Sequence, residues 1–531
     1  MALICLFAFP ALLTAAVLCL EAKPFFRHAL KRPYLLALNA LPLYILTVLF
    51  FTAFGRLWPA LAAVSLVALA FALVSRFKVL IREEPFLPSD FILIREAATF
   101  SDAVKGHIGF IEIGIPLLTV AAVACSAFAL SPDWSVSTRL LTAGGVLLAV
   151  WPLNRFVYTN GKLYCAGFPY IFWRHLNTIG VVKPEGYAEG RSAAVLSHYG
   201  EDRKALSGVN VVFVMGEAFT ELSDDPFFTL KSDPIAPYKQ LKNEGFCGTL
   251  TVPNYGGGTA NTEFDVLTGL YSMFINPSPS AFWHVRKPLG SVASALKLYG
   301  YHTAAVHPGF DWVYKRREVY PRLGFDEFVT VKDFEGAERK GGLVSDAAAF
   351  AKLREVIETR PPPLFSYMVT IQNHTPYDRR FDPEADIPAN YFIGAADTAR
   401  ELKLFTEYLN SRPEPTLLVF YGDHLPSLGR AMRLYEELGF DEGLKKFETP
   451  FLLWQNDACK PVFSLEESLD NLGLRRGGAV SAHYLGPLAL ELLGYDNDPF
   501  FQYINALRRE NPVLRGPAAD YQAVLYDRLR K

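Results

Sequence analysis

Thr259 follows Gly256-Gly257-Gly258 and opens a stretch of helical pattern. A single hydroxyl therefore stands where a strand breaks, where glycine lets backbone approach a ligand and where the positive end of a helix favours a phosphate oxygen. Elsewhere in the same half, short β-branched runs end on residues with chemistry of their own. Residues 209–215 run into Gly216-Glu217, 302–306 into His307, 365–371 into Asn373-His374, and 416–421 into Gly422-Asp423-His424. Each alone has an ordinary reading as a turn former or a helix-end acid. Together they predict one rim, because ligands of a mostly parallel sheet sit beyond the carboxyl ends of its strands. Glu217, Asp423 and His424 are ligands suited to one divalent ion, with Thr259 as a fourth donor. A hydroxyl on such an ion loses its proton more easily and can attack phosphorus or sulfur, giving a covalent intermediate. His307 and His374 then serve as acid, base or phosphate holder, and Arg317, in the run Lys315-Arg316-Arg317, as a phosphate clamp.

Those residues need a scaffold, and the pattern from residue 209 supplies one. Strand-like runs, including 248–252 and 450–454, alternate with helical stretches at 234–243, 262–270, 291–299, 346–359 and 395–410. The predicted fold class is α/β, a mostly parallel sheet flanked by helices, preceded by a polytopic helical membrane domain. Five apolar segments, 3–20, 34–54, 57–74, 108–130 and 140–157, are long enough to cross a bilayer. The stretch 86–94 is apolar but short and reads as interfacial or re-entrant, and 164–173 as an interfacial helix. The expected division is 1–158 for the spans, 159–208 for an interfacial helix and polar linker, and 209–531 for the catalytic domain. Basic residues after the first and third spans are cytoplasmic by the positive-inside rule, which with five spans also places the C-terminal domain in the cytoplasm.

Composition agrees with a membrane enzyme. Of 531 residues, 51% are apolar, and the excess lies before residue 158. The net charge of −2 and the lack of basic runs interleaved with aromatics argue against nucleic acid and leave lipids and polar head groups as partners. No CxxC occurs among the six cysteines, so no zinc ribbon or thioredoxin motif is expected. Cys247 and Cys459 are candidates for a disulfide in an oxidising compartment. The chain has no Cys-x-Pro-x-Arg to become a formylglycine, which argues against sulfate-ester hydrolysis.

The runs Gly256-Gly257-Gly258-Thr259-Ala260-Asn261-Thr262-Glu263-Phe264, Tyr320-Pro321-Arg322-Leu323-Gly324-Phe325-Asp326, Gln372-Asn373-His374-Thr375-Pro376-Tyr377 and Tyr421-Gly422-Asp423-His424-Leu425-Pro426 resemble, in order, the lipoteichoic acid synthase family and the related phosphoglycerol transferases of periplasmic glucans, within the alkaline phosphatase and sulfatase superfamily. The resemblance implies an alkaline-phosphatase-like catalytic domain facing the periplasm or cell exterior, on a multi-pass protein of the bacterial inner membrane. It implies that Glu217, Thr259, Asp423 and His424 bind one divalent metal, manganese first and magnesium or zinc next, with Thr259 as nucleophile. It further implies that His307, Arg317 and His374 contact a phosphoglycerol group, which is taken from phosphatidylglycerol with release of diacylglycerol and passed to a glycan or polymer hydroxyl. Lipoteichoic acid synthases carry lysine where this chain has Gly258 and tryptophan where it has Lys315, so the glucan-modifying relatives fit better. Phosphoethanolamine transfer and metal-dependent phosphodiester hydrolysis are the alternative activities.

Overall fold

The computed structural model describes residues 2–21, 23–82, 85–88, 90–91, 134–150, 152, 166–176, 181, 183–275, 280–428, 435, 437–440, 443–516 and 518–530. The chain divides near residue 180 into two compact units.

The first unit is helical: Ala2–Glu21, Lys23–Leu30, Pro33–Phe54, Leu57–Arg82, Val136–Val150 and Phe168–His175. Pro33–Phe54 and Leu57–Val79 are long and apolar enough to cross a membrane, whereas the apolar helices Ala8–Glu21 and Val136–Ala149 are shorter. The expected segment 108–130 lies outside the described residues, as does the end of 140–157. Of the described part of 86–94, Phe86 and Leu87 are buried and Phe91 is exposed; Phe86 stacks on Phe172 at 5.6 Å, and Asp90 pairs with Lys78 at 2.9 Å. Helix Phe168–His175 has polar partners waiting at its start. The Phe168 N–H donates to Glu21 Oε2 at 3.0 Å and the Tyr170 N–H to Asn39 Oδ1 at 3.0 Å, so first-turn donors that no helix can satisfy internally are met by side chains of two other helices.

The second unit is built on an eight-stranded sheet. Its strands are β1 (Asn210–Gly216), β2 (Phe246–Thr251), β3 (His302–Val306), β4 (Glu327–Val329), β7 (Leu364–Val369), β8 (Thr416–Gly422), β9 (Glu448–Gln455) and β10 (Ala479–Ser481); β5 (Arg339–Lys340) and β6 (Leu343–Val344) form a separate hairpin. The order is β10-β2-β9-β8-β1-β7-β3-β4. Only β9 runs against its neighbours β2 and β8 among these described pairings, so the other seven strands end at one rim. Strands β1, β7 and β8 are buried along their whole length, which is why they read as unbroken apolar runs rather than alternating ones. All six expected strands are present. The short β4, β10 and β5–β6 hairpin give too little pattern to be read.

The polar stretch expected as a linker is laid on this unit. Arg191 Nε donates to Asp520 at 2.6 Å, the Tyr187 hydroxyl to Asp527 at 2.6 Å, and the Gly200 and Glu201 N–H groups to Gln502 Oε1 at 2.8 and 3.0 Å. Its polarity is that of an exposed coat. Cys247 and Cys459, the candidate disulfide, are both free thiols buried apart.

The register between β1 and β8 sets the site. Gly216 lies opposite Gly422, so Glu217 and Asp423 leave the sheet at the same level. The approach is close: a Cβ at Gly422 would fall 2.0 Å from the Phe219 carbonyl oxygen. The substitution Gly422→Ala must therefore push the Phe219 backbone or the strand end aside. A loss of about 1–3 kcal/mol is expected, seen as a lowered melting temperature together with weakened divalent-metal binding.

Candidate metal and nucleophile site

Three consecutive glycines with positive φ, Gly256 (+67°), Gly257 (+142°) and Gly258 (+96°), turn the chain from β2 into helix Thr259–Thr268. The helix starts three residues earlier than the pattern predicts, so Thr259 sits in its first turn. At Gly258 a side chain would be strained and would meet Asn254 at 2.9 Å. A lysine here would strain this turn and require the Asn254 side chain to move. Two bonds tie the turn and helix to the end of β8: Gly256 N–H to the Leu425 carbonyl at 2.8 Å, and Thr262 Oγ1 to the Asp423 carbonyl at 2.7 Å.

Glu217, Asp423 and His424 are all buried, and one ligand atom from each lies within 4.8 Å of the others. The Thr259 hydroxyl is 3.4 Å from Glu217 Oε2 and 3.3 Å from His424 Nε2. The backbone orients every member. The Glu217 N–H donates to Thr370 Oγ1 at 2.9 Å, and Asp423 Oδ1 accepts from the N–H groups of Ala218 and His424 at 2.7 and 2.8 Å. His424 Nδ1 lies 3.0 Å from the Leu425 carbonyl and must carry the proton there, which leaves a lone pair on Nε2. That lone pair faces Asp423 Oδ2 at 3.1 Å, an oxygen that is buried with no hydrogen-bond partner. Acceptors facing one another in a dry site call for a cation between them. Burial, and then the neighbouring Asp423, pushes the Glu217 carboxyl well above the ordinary carboxylate range, and burial also raises Asp423. The donor set of two carboxylates, one imidazole and one hydroxyl therefore fits a hard or borderline divalent ion.

The two further histidines follow the same rule as His424. His307 Nδ1 donates to the Val369 carbonyl at 3.0 Å and His374 Nδ1 to the Thr375 carbonyl at 2.7 Å, so each presents an unprotonated Nε2. Burial, and next the Arg316 charge, lowers His307 well below the usual imidazole value; burial, opposed by its backbone hydrogen bond, takes His374 down to about 4. Both are neutral at pH 7, suited to accept a proton rather than supply one.

Arg317 is not gathered with them. It is 75% exposed, with its nearest carboxylate, Asp311, at 3.8 Å. The neighbouring Arg316 is 2% exposed and close enough to act on His307, His374 and Glu217. Its Nε donates to both oxygens of Glu263 at 3.1 and 3.2 Å, and the Tyr320 hydroxyl donates to the same carboxylate. Glu263 lies one turn past Thr259, so this pair locks helix Thr259–Thr268 to helix Arg316–Arg322. Sequence reasoning missed Arg316, Glu263 and Thr370. The one available signal was spacing: Arg316 and Tyr320 are four apart and so share the face turned to Glu263.

The sulfatase family profile matches residues 209–495. The chain belongs to the sulfatase family. A putative cyclic β-1,2-glucan modification protein of Rhizobium meliloti is 25% identical over 455 residues, 76% of this chain and 70% of that protein. Among solved structures, the phosphoglycerol transferase GacH of Streptococcus pyogenes, in complex with sn-glycerol-1-phosphate, superposes with a TM-score of 0.52 at 21% identity, covering 66% of this chain and 94% of that one. The integral membrane lipooligosaccharide phosphoethanolamine transferase A of Neisseria meningitidis gives a TM-score of 0.56 at 13% identity, over 94% of this chain and 98% of that one. At these identities the structures establish the fold: apolar helices followed by a sulfatase-like domain.

Two outcomes are expected. Arg316→Met leaves Glu263 buried without its partner and should cost about 3–5 kcal/mol, whereas Arg317→Ala should change stability by less than about 0.5 kcal/mol; chemical denaturation of the two variants separates them. With Glu217 and Asp423 raised in the metal-free fold, that fold binds more protons than the unfolded chain, and its stability falls as pH rises through those values. A divalent ion offsets the loss. The rise in melting temperature on adding a divalent ion should therefore grow as pH rises above the ordinary carboxylate range, and Asp423→Asn should flatten the dependence.

Proposed function

We propose that the protein is a membrane-bound phosphoglycerol transferase that moves glycerol phosphate from phosphatidylglycerol to a glycan or polymer hydroxyl outside the cytoplasm, through a phosphothreonine at Thr259. The observation that carries this reading is the Thr259 hydroxyl held within 3.4 Å of Glu217 and 3.3 Å of His424, beside an unpartnered Asp423 oxygen. The glucan-modification relative and the phosphoglycerol transferase with the same fold support the substrate class. Residues 1–158 then form the membrane domain, 159–208 the connection and 209–531 the catalytic domain. Bound at Glu217, Asp423, His424 and Thr259, a divalent ion such as manganese would supply charge neutralisation and a more acidic threonine hydroxyl.

In the first step Thr259 Oγ1 forms a bond to phosphorus, its proton passes to water, and the ester bond to diacylglycerol breaks as that oxygen regains a proton. Arg316 and the helix end favour the charge that develops on the phosphoryl oxygens. In the second step a glycan hydroxyl attacks phosphorus, His374 Nε2 takes its proton, and Thr259 leaves with a proton restored. The neutral state of His374 suits it to this second step.

Thr259→Ala should abolish diacylglycerol release from labelled phosphatidylglycerol in vesicles. His374→Gln should slow turnover by about 10²–10⁴-fold while a glycerophosphate adduct accumulates on Thr259, read by mass spectrometry of the intact protein. Consumption of phosphatidylethanolamine alone would favour the alternative donor, and free glycerol phosphate as sole product would favour hydrolysis.

A further inference from the structure

The segment 308–315 leaves the rim beside His307 and leads from β3 into helix Arg316–Arg322. It starts hard against the site, since a Cβ at Gly309 would run into His307 Nε2. It ends on Arg316, which is buried on Glu263. Between these ends the backbone is tied down: the Val331 N–H donates to the Gly309 carbonyl at 3.1 Å, and the Arg317 N–H to the Asp311 carbonyl at 2.9 Å. What this braced segment shows to water is aromatic. Phe310 is 51% exposed and Trp312 39%, and the two rings stack with centroids 5.6 Å apart and planes 26° from parallel. Single exposed apolar side chains are ordinary on a protein surface. Here two large rings share one patch at the mouth of the site.

The charges around the rings are mainly positive. Arg317 and Lys332 are both exposed, and both lean on the buried Asp311, at 3.8 and 3.0 Å. Lys315 lies over the Trp283 ring at 3.6 Å. Asp311 is the sole acid of the segment, and two bases already share it. A platform for sugars needs acceptors beside its rings to take hydroxyl protons; the carboxylate available here is taken. Aromatic rings flanked by cations instead match the boundary of an anionic bilayer, where rings settle at the headgroup level and Lys or Arg meet lipid phosphates.

We propose that Phe310 and Trp312 form a membrane-surface anchor: the rings seat in the headgroup layer of an anionic bilayer, Arg317 and Lys332 meet its phosphates, and the rim of the Thr259 site is held where lipid headgroups are presented. The inference rests on the membrane-bound reading above and is independent of which headgroup is transferred.

The test uses the full-length protein in phosphatidylcholine vesicles with or without phosphatidylglycerol, the lipids carrying bromine near the top of the acyl chain as a contact quencher. Subtracting the emission of Trp312→Phe isolates Trp312 from the rest of the seven tryptophans. That share should be quenched by the brominated lipid, more strongly with phosphatidylglycerol present. Arg317→Ser with Lys332→Ser should remove the extra quenching, each cation near an anionic surface being worth roughly fivefold in binding. Equal Trp312 emission in brominated and plain vesicles places the segment in water and overturns the proposal. A Trp312 response to a soluble glucan alone overturns it in favour of an acceptor platform. In kinetics, Phe310→Ser with Trp312→Ser should raise the KM for vesicle lipid by about tenfold at unchanged kcat, and leave turnover of dispersed short-chain phosphatidylglycerol unaltered. Equal loss on both substrates overturns the anchor. Quenching of Trp312 in a wild type that takes nothing from phosphatidylglycerol upholds the anchor and overturns the donor reading.

Discussion

Two carboxylates and an imidazole lone pair are forced together out of water at the ends of β1 and β8, and everything else in the second unit is arranged around that repulsion. The Gly216–Gly422 register brings them level, the Ala218 and His424 N–H groups take one oxygen of Asp423, and the Leu425 carbonyl takes the spare proton of His424. None of these contacts cancels the negative charge; they only aim it. A site pre-organised in this way meets a divalent ion with little reorganisation, which is the condition under which electrostatic stabilisation is worth most.

The positive charge nearby is distributed with similar economy. Arg316 is buried and held by Glu263, so its field reaches the histidines while its position is fixed by helix Thr259–Thr268 itself. A fully buried ion pair gives little net stability over an apolar substitute. Its value here is placement: moving Thr259 would require moving Arg316. Burial is the main reason both histidines are neutral, and for His307 the Arg316 charge adds to it.

Much of this was legible in the sequence because central parallel strands are apolar from end to end and then stop abruptly on polar residues. Glu217, His307, His374 and Asp423-His424 were found by that contrast, and Thr259 by its glycines. Arg316 was not, because the run Lys315-Arg316-Arg317 offers three similar side chains and only the packing of helix Arg316–Arg322 says which one turns inward. Tyr314 and Lys315 both have left-handed backbone, with φ of +54° and +61°, so the face of the following helix cannot be extrapolated from the residues before it. The three-residue strands β4 and β10 were illegible for a simpler reason. They owe their extended form to the neighbouring strands β3 and β2, and a pattern that short has no period of its own.

The hydrogen bond from Ala218 to Asp423 spans 205 residues of chain. As the polypeptide lengthens from its N-terminus, β1, the glycine turn and helix Thr259–Thr268 are all made well before β8 exists. Until then Glu217 and Thr259 have no partner ligands and β1 lacks one of its two neighbours. Pairings this distant are slow to form and leave an open strand edge in the meantime. The cluster of Glu217, Asp423 and His424 is thus a late marker of folding: only a chain in which β8 has docked beside β1 assembles it.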